Sequence, residues 1–559
     1  MANIKERPDH KANLSRHGHS LSHRFMFSSV VGQLLPVFSD FLLPGDHIKL
    51  SADMFTRTMP IKTPAFTRMK EHIEYFFVPM SQIYTFWGEF IYGIQDVRTA
   101  LVQLDSNVFK NYIAKFPSET AVNIAKFLAL HNPQQDDDKD EFGVNLSVNA
   151  YRLLDMLEYG YNWKTFVTTS TNPEDGDERI NLARLAAYQK IWSDVYRLTD
   201  WTENDPTCYN LDRWVLNGFS DFNVSKLLKM RYRPWKMDYY TNIYPSPLMA
   251  GQSVNGVENS WNLDDVNQWL TTNGYMFQDR YTDNPTEKPL TVGLEFQEDD
   301  SDYFKLSTAG ISTAFAIRKL SEITRRNAKH YDVQTLAHFG QKVPVGIAGE
   351  VMRLGAQSCV VQITDIVSAA ASGSEPLGTM AGKGFAGMQG HGVDFTAPCH
   401  GIIMAIYSAV PESDYKRTGI DRSNIYQSRF DYYQPELDNL GMQPTFEEFY
   451  SYQPGRMQFG DPYGWQYSHF ENKTKCDQIH GALANDGMSD WVTNRNYLLE
   501  WTFSRDLYID PSYCDSIFDL DYLAEGYQNG EFQTDYLIHD LYWKCNKTSV
   551  MSTYGLESL

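Results

Sequence analysis

The sequence predicts a mainly β protein with large helical and loop insertions, folded as a single β-sandwich or barrel. Two observations support this prediction: strand patterns lie near both ends of the 559-residue chain, and a long mixed region separates them. A sheet that takes its strands from both ends of a chain favours one decorated domain over separate domains. Length alone, at about 150 residues per domain, would also allow three or four domains.

The first strand patterns lie between residues 47 and 79. Residues 47–54 alternate polar and apolar side chains directly after the turn sequence LPGD at 43–46, which predicts a strand with one buried face. Residues 72–78 are rich in aromatic and β-branched side chains and are followed by Pro79. Two such strands joined by a proline-containing connection predict antiparallel pairing.

Residues from about 80 to 330 are predicted to be a mixed, largely helical insertion. The segment 181–198 predicts a helix with one apolar face, because apolar side chains recur there every three or four residues: Leu182, Leu185, Tyr188, Trp192 and Val195. A second helix is predicted over 312–329. Residues 252–303 are polar, acidic and rich in asparagine, and we expect them to form a surface excursion.

Three further strand patterns follow residue 340. Residues 359–363 are predicted to be a buried strand, whereas 401–410 and 535–545 are long runs of β-branched and aromatic residues. The run at 401–410 is too short to cross about 30 Å of hydrocarbon as a helix. No membrane span is therefore expected.

The composition describes an acidic, aromatic, globular chain. Its 49 Lys+Arg and 70 Asp+Glu give a net charge of −21, and its aromatic content is 14%. This balance argues against a protein that coats nucleic acid with its whole surface. Six cysteines without a CxxC pair, and an N-terminus without an apolar signal region, predict synthesis in a reducing cytosol.

The first 24 residues differ from the rest and are predicted to be a flexible basic arm, with the main domain spanning 25–559. Against Glu6 and Asp9 the arm carries five cations, a net charge of 5 − 2 = +3: Lys5, Arg7, Lys11, Arg16 and Arg24. A solvated tail without function is the alternative interpretation.

A second basic segment, residues 226–236, alternates cations with aromatic rings. Its cations are Lys226, Lys229, Arg231, Arg233 and Lys236, and its rings are Tyr232 and Trp235. Cations neutralise phosphates and rings stack on unpaired bases, at about 1–3 kcal/mol per base, so this segment is a candidate contact for single-stranded nucleic acid. A further cluster contains Arg318, Lys319, Arg325, Arg326 and Lys329. For both, pairing with the chain's own carboxylates is the alternative.

Two motifs that could suggest cofactor or metal chemistry lack the required context. Residues 382–387 match G-x-G-x-x-G, but loop-like sequence surrounds them, so we expect a glycine-rich loop and not a dinucleotide site. Asp136, Asp138 and Asp140 alternate as calcium ligands can, but Glu141 stands where an EF-hand loop requires glycine. We therefore expect a solvated acidic loop at these residues. For the protein as a whole we expect no cofactor, no metal and no enzymatic activity.

Ten short strings occur in order along the chain: GQLLP (32–36), LPGD (43–46), YFFVP (75–79), AYQKIWSD (187–194), DYYT (238–241), YPSP (244–247), HFG (338–340), DYYQP (431–435), LGMQ (440–443) and MSTYG (551–555). Together they resemble the major capsid protein of the Microviridae, tailless phages with single-stranded DNA, and especially its gokushovirus-like branch. Val195-Tyr196 replaces the family's usual Trp-Phe, which indicates a divergent subgroup.

The resemblance implies a single eight-stranded antiparallel jelly roll with long insertions. It also implies that copies of the chain self-assemble into a T=1 icosahedral shell around a single-stranded DNA genome, with 252–303 as a surface protrusion. The basic arm and residues 226–236 would then face the genome. Other implied partners are a small basic DNA-binding phage protein, further virion proteins and a host surface receptor. The protein would be made in the bacterial cytoplasm and reside in the virion.

Two other functional classes remain open from the residues alone. Acidity, aromatic content and β-strands would also suit a carbohydrate-binding or carbohydrate-active β-sandwich, which would need two carboxylates facing each other in an aromatic cleft. A standalone single-strand-binding module is the third interpretation, and the net charge of −21 argues against it.

Overall fold

The computed structural model describes residues 15–92, 116–120, 124, 128, 139–160, 179–212, 221–245, 319–320, 323–324, 326–327, 330–343, 349–367, 380–416, 419–435, 442–450, 462–488, 490–494, 507–518 and 535–551. Sixteen strands lie in this part of the chain. They are β1 His17–Ser20, β2 His23–Ser29, β3 Leu35–Leu42, β4 His47–Thr58, β5 Met69–Pro79, β6 Ser118–Thr120, β7 Arg179–Asn181, β8 Met352–Val367, β9 Met380–Met388, β10 Val393–Thr396, β11 Gly401–Pro411, β12 Asp414–Lys416, β13 Met442–Thr445, β14 Gly464–Tyr467, β15 Asp477–Ile479 and β16 Leu537–Ser549.

Helices are short and lie mainly between β5 and β8. Those that the structure describes are α1 Met80–Ile83, α2 Trp87–Tyr92, α3 Leu146–Met156, α4 Ala183–Ile191, α5 Asp221–Leu227 and α6 Tyr331–Phe339. A π-helical turn, Trp192–Tyr196, continues α4, and short 3₁₀ turns occupy Pro206–Cys208, Arg422–Ile425, Glu447–Phe449, Phe470–Asn472, Gly481–Ala484 and Asp486–Met488. No helix in the described ranges is both long enough and apolar enough to cross a membrane.

Ten strands form one antiparallel sheet with the order β1-β16-β4-β9-β8-β5-β11-β3, in which β2 also pairs with β16 and β10 with β4. The sheet curls until its far ends meet. Trp543 on β16 donates its indole N–H to the Val37 carbonyl of β3 at 3.2 Å, and Lys547 donates to the Phe41 carbonyl at 2.8 Å. This arrangement confirms the mainly β, jelly-roll class.

The main sheet holds more strands than the eight that the resemblance implied. The added pairing is local: β1 and β2 follow one another along the same edge of β16, and β10 extends the pairing of β4 beyond β9. Three two-stranded sheets lie outside it, β6–β7 and β13–β14 antiparallel and β12–β15 parallel.

The predicted strands at 47–54, 72–78, 401–410 and 535–545 are confirmed as parts of β4, β5, β11 and β16. The expectation of a buried strand at 359–363 is wrong in one respect. Within β8, Val361 is buried whereas Val360 is 51% exposed, because only one face of this strand contacts the core.

The expected glycine-rich loop at 382–387 is wrong, since these residues form most of strand β9. The glycines allow close packing. A Cβ on Gly384 would lie 2.5 Å from the Thr58 methyl group, and a Cβ on Gly382 would lie 2.7 Å from the Thr63 carbonyl oxygen. Glycine at these positions therefore allows the strands to pack closely and does not indicate a phosphate-binding loop.

The predicted helix at 181–198 is confirmed as α4 and the π-helical turn. The helix is buried on nearly all sides, including Gln189 and Lys190, and not only on one apolar face, because it contacts β5 as well as α5 and the 206–208 turn. The predicted helix at 312–329 lies largely outside the described residues, although residues 319, 320, 323, 324 and 326 are helical. The predicted surface excursion at 252–303 lies entirely outside them.

The described part of the basic arm is a paired strand and not a free tail. Strand β1 pairs with the second half of β16, and β2 pairs with its first half. The expected boundary at residue 24 falls inside β2. The division into an arm, 1–24, and a domain, 25–559, stays a prediction.

Aromatic side chains fill the curled sheet. Trp543 is fully buried, 5.1 Å from the Phe38 ring and 6.2 Å from the Tyr75 ring. The same hydrophobic core continues past Phe76 into α3 and α4. Burying each such large side chain contributes about 1.5–3 kcal/mol, and the sheet and the helices over it share this one core.

Candidate nucleic-acid interface

The basic arm enters the structure at the edge of the main sheet. Lys5, Arg7 and Lys11 lie outside the described residues. The guanidinium of Arg16 lies against Gly45, whose φ of +81° favours glycine. Arg24 forms a bidentate pair with Asp540 of β16, with both N···O distances 2.7 Å, so its charge is balanced within the sheet.

The segment 226–236 leads from the end of α5 across the subunit as a strap. Its backbone hydrogen bonds reach two separate parts of the chain: Leu34 N–H donates to Arg231 O at 3.0 Å, and Ile509 N–H donates to Arg233 O at 2.9 Å. The first two cations are paired, Lys226 with Asp205 and Lys229 with Glu141 at 2.6 Å. These contacts tie the strap to its surroundings.

The arginines of the strap point into the protein. The Arg231 Nε donates to Gln189 at 2.7 Å, and its guanidinium lies 3.9 Å from the centre of the Trp192 ring. Arg233 donates to Glu74 and to Ser408, both at 2.7 Å. A cation over an aromatic face contributes about 0.5–2 kcal/mol, so both side chains stabilise the fold.

Glu74 is the centre of this arrangement. Burial raises the pKa of its carboxyl group, but Arg233, the Tyr196 hydroxyl at 2.6 Å and Arg353 together outweigh burial and lower it. Glu74 is therefore ionised at neutral pH. Replacing Arg233 with an acidic residue would place two negative charges side by side in the interior. Such a variant would be expected to misfold, so it could not test whether Arg233 contacts DNA.

The two aromatic side chains of the strap are also internal. Tyr232 is 2% exposed and donates its hydroxyl proton to Asp140 at 2.6 Å. Trp235 is 5% exposed and packs edge-on against Tyr513 at 4.9 Å. Stacking on bases needs an open ring face, so the structure assigns both rings to the interior. Lys236 at the end of the strap is exposed.

The second predicted cluster is only partly described. Arg318, Arg325 and Lys329 lie outside the described residues. Lys319 is exposed, and the guanidinium of Arg326 lies 5.6 Å from the centre of the Tyr467 ring. The structure describes only these two of its five cations, so the cluster as a contact for nucleic acid stays a prediction.

Asp140 differs from the expected solvated acidic loop. Its carboxylate accepts hydrogen bonds from the backbone N–H groups of Phe142 and Val144, at 3.0 and 2.9 Å, besides that of Tyr232. Burial raises the pKa of this carboxyl group, partly offset by those donors. Asp136 and Asp138 lie outside the described residues. Within the described ranges no group of three or more His, Cys, Asp or Glu side chains is placed to hold a metal ion.

A polar cavity of about 380 Å³ lies beside α4. Three carboxylates line it, Asp194, Glu203 and Glu350. Asp194 pairs with Lys190 at 3.0 Å and Glu350 pairs with His330 at 3.2 Å, whereas Glu203 is exposed. Burial raises the pKa of Asp194 despite that lysine, and the hydrogen bond that His330 donates to Glu350 raises the pKa of His330. Asp194 and Glu350 are therefore each engaged by an internal partner and are not a free pair of carboxylates.

Sequence reasoning missed the exposed face of the main sheet. Phe55 and Arg57 on β4 lie there next to Lys383 and Phe385 on β9. In β4 the sequence did indicate this face, because the alternation of polar and apolar side chains places Phe55 and Arg57 on the polar side of the strand. It was hidden in β9 because glycine-rich sequence was expected to be a loop.

The fold defines the class of protein first: a curled antiparallel sheet with long insertions is a jelly roll of the type found in viral capsids and lectins. Comparison with known proteins identifies the family. The model of the capsid protein (F protein) family matches residues 10–109 and 161–534. The chain is also 21% identical over 574 residues to "Capsid protein VP1" of Chlamydia phage 1, covering 87% of this chain and 88% of that protein.

The chain therefore belongs to the capsid protein (F protein) family, and the predicted membership of the Microviridae major capsid proteins is confirmed. It is a structural component of a phage virion.

Proposed function

We propose that copies of this chain assemble into a closed T=1 icosahedral shell that encloses a single-stranded DNA genome, and that the chain has no catalytic role. The observation that carries this proposal is the family match across most of the chain, together with the jelly-roll sheet. Large oligomers of one chain form closed shells when identical subunits repeat the same contacts around symmetry axes.

The surface supports a role in assembly. Large apolar side chains are exposed at separate places, such as Phe339 at 78%, Phe66 at 66% and Met26 at 65%. Aromatic residues and methionine are enriched where protein surfaces meet. Neighbouring copies would cover these side chains in a shell.

Further partners follow from the same proposal. A subunit with a net charge of −21 does not neutralise a genome by itself, so a small basic DNA-binding phage protein would share that task. Other virion proteins and a host surface receptor complete the set of proposed partners.

Electron microscopy tests the proposal. The full chain is expressed alone and together with the other virion proteins of its phage, and the products are imaged in negative stain. We expect closed particles of uniform diameter and, after image reconstruction, one copy of the chain per icosahedral asymmetric unit. Monomers or open aggregates under both conditions, or a shell with several copies per asymmetric unit, would contradict it.

A further inference from the structure

The exposed face of the main sheet combines aromatic rings with cations. Alternation along β4 turns Phe55 and Arg57 outward while Met54 and Thr56 are buried, and the same alternation turns Lys383 and Phe385 outward on β9. Phe55 is 44% exposed and Phe385 is 39% exposed. We call these four residues the ring–cation face.

The strand register brings the four side chains together. Arg57 is directly opposite Phe385, and Phe55 is directly opposite Gly387. Opposite residues on one face of an antiparallel pair have Cβ atoms about 5 Å apart. A Cβ on Gly387 would meet nothing within 4 Å, so the space beside Phe55 is open. The Arg57 guanidinium lies 5.3 Å from the centre of the Phe55 ring.

The charge balance of this side of the sheet differs from that of the chain. The outward charged positions of β2, β4, β9, β10 and β16 give 5 − 3 = +2, from Arg24, Lys49, Arg57, Lys383 and Lys544 against Asp53, Asp394 and Asp540. Three of these cations are paired, Arg24 with Asp540, Lys544 with Asp53, and Lys49 with Asp394.

The two cations of the ring–cation face are the unbalanced ones. Among the residues that the structure describes, no carboxylate pairs with Arg57 or Lys383. Each of them is next to an exposed ring, Arg57 beside Phe55 and Lys383 two positions from Phe385 on the same side of β9. On a chain with a net charge of −21, these two cations form a local positive patch that would attract a polyanion.

The basic arm reaches the same sheet. Strand β1 pairs with β16, and the chain that precedes it carries Lys5, Arg7 and Lys11. Strand β1 therefore lies at the edge of the sheet that holds the ring–cation face.

Building on the proposed function, we propose that the ring–cation face binds the single-stranded DNA genome. Arg57 and Lys383 contact phosphates, while Phe55 and Phe385 stack on unpaired bases. Each nucleotide offers a phosphate and a base at every step, so a single strand matches a surface that repeats a cation beside a ring on two adjacent strands. This side of the sheet then forms part of the inner wall of the shell.

Fluorescence anisotropy with a labelled thymidine oligonucleotide tests the proposal on the purified full chain at several salt concentrations. One variant removes the charges, Arg57→Gln with Lys383→Gln. A second removes the rings, Phe55→Ser with Phe385→Ser. The matched control is Arg429→Gln with Phe430→Ser, since Arg429 lies 4.7 Å from the centre of the exposed Phe430 ring in a loop away from the sheet.

The two variants should differ in their salt dependence. Removing two phosphate contacts should weaken binding and reduce the slope of log affinity against log salt by about 1.4, since each contact on a single strand contributes about 0.7. Removing two stacked rings should weaken binding by about tenfold or more without changing that slope. The control should bind as the wild type does.

Three results would overturn the proposal. The first is unchanged affinity in both variants, and the second is no binding by the wild type. The third is normal DNA binding by the variants with loss of closed particles in negative stain, which would assign the face to contact between copies. If the wild type binds DNA through this face but forms no closed particle even with its virion partners, the proposed shell fails while the assignment of the face stands.

Discussion

At the scale of single residues, buried polar groups form a network inside the sheet. His539 is 1% exposed, and its two ring nitrogens lie 2.7 Å from the Ser29 hydroxyl and 2.9 Å from the Thr56 hydroxyl. Glu71 beside it is fully buried and accepts hydrogen bonds from Thr56 and Tyr407. No solvent reaches the group, so a serine, a histidine and a carboxylate stand together here for structural reasons.

The pH dependence of stability should reveal this histidine. Burial lowers the pKa of His539 from 6.5 to about 3. Between these values the unfolded chain binds a proton that the folded chain does not, so the free energy of unfolding should fall as pH decreases, by up to about 1.4 kcal/mol per pH unit. Burial raises the pKa of Glu71, and its protonation in the folded state offsets part of this loss.

Urea unfolding at pH 7.0 and 5.5 measures the effect. We expect the wild type to lose more stability on acidification than His539→Gln, although the variant starts from a lower value at pH 7.0. Equal losses in the two proteins would show that His539 does not titrate between the folded and unfolded states as its burial implies.

At the scale of elements, strand β9 shows how composition can conceal a strand. Its inward positions include Gly382 and Gly384, which pack against the Thr63 backbone and the Thr58 side chain, whereas the outward Gly387 faces open space. The three glycines look equivalent in the sequence. Only Gly382 and Gly384 are surrounded so closely that no larger residue fits without displacing its neighbours.

Alanine substitutions along β9 test this distinction. Gly382→Ala and Gly384→Ala should each destabilise the protein by about 1–3 kcal/mol, because a Cβ there overpacks the interior. Gly387→Ala should change stability by no more than about 0.5 kcal/mol. Thermal unfolding of the three variants gives the comparison, and an equal response at all three positions would contradict the packing argument.

Element types could be predicted where side-chain periodicity is strong, as in β4, β16 and α4. The burial of the 226–236 strap could not be predicted, because its partners Glu74, Asp140 and Gln189 come from distant parts of the sequence. A cation beside a ring has the same local pattern whether it stacks inside a subunit or faces a genome. Only the strand register placed Arg57 beside Phe385.

At the scale of the whole molecule, the sheet is held in its curled shape by side chains that connect its two ends. Lys547 of β16 is almost fully buried and binds both the Phe41 carbonyl and the Asp40 carboxylate of β3, at 2.8 and 3.0 Å. Hydrogen bonds to charged groups contribute about 1.5–3 kcal/mol each. Lys547 therefore links β16 to β3 across the curled sheet.

Replacing Lys547 with methionine should weaken the link between β16 and β3, because methionine keeps an apolar side chain in the core but has no ammonium group. We expect a loss of about 2–4 kcal/mol, because the half-buried Asp40 and the fully buried Asp46, 3.7 Å from the ammonium group, lose their cation. We also expect faster hydrogen exchange in β3 and β16 than in β5 and β11. Lys544→Met on the exposed face of β16 is the control and should leave exchange in β3 unchanged. Uniform acceleration in all four strands would mean that Lys547 supports global stability and not this link in particular.

The position of β16 in the sheet also has a consequence for biosynthesis. Residues 516 positions apart, Arg24 and Asp540, meet across β2 and β16, and β16 separates β1 and β2 from β4. During translation, the N-terminal strands must wait for β16 to leave the ribosome before the sheet can close. Folding that depends on such distant contacts is slow, so a nascent chain cannot offer a finished subunit to a growing shell before its last strand is made.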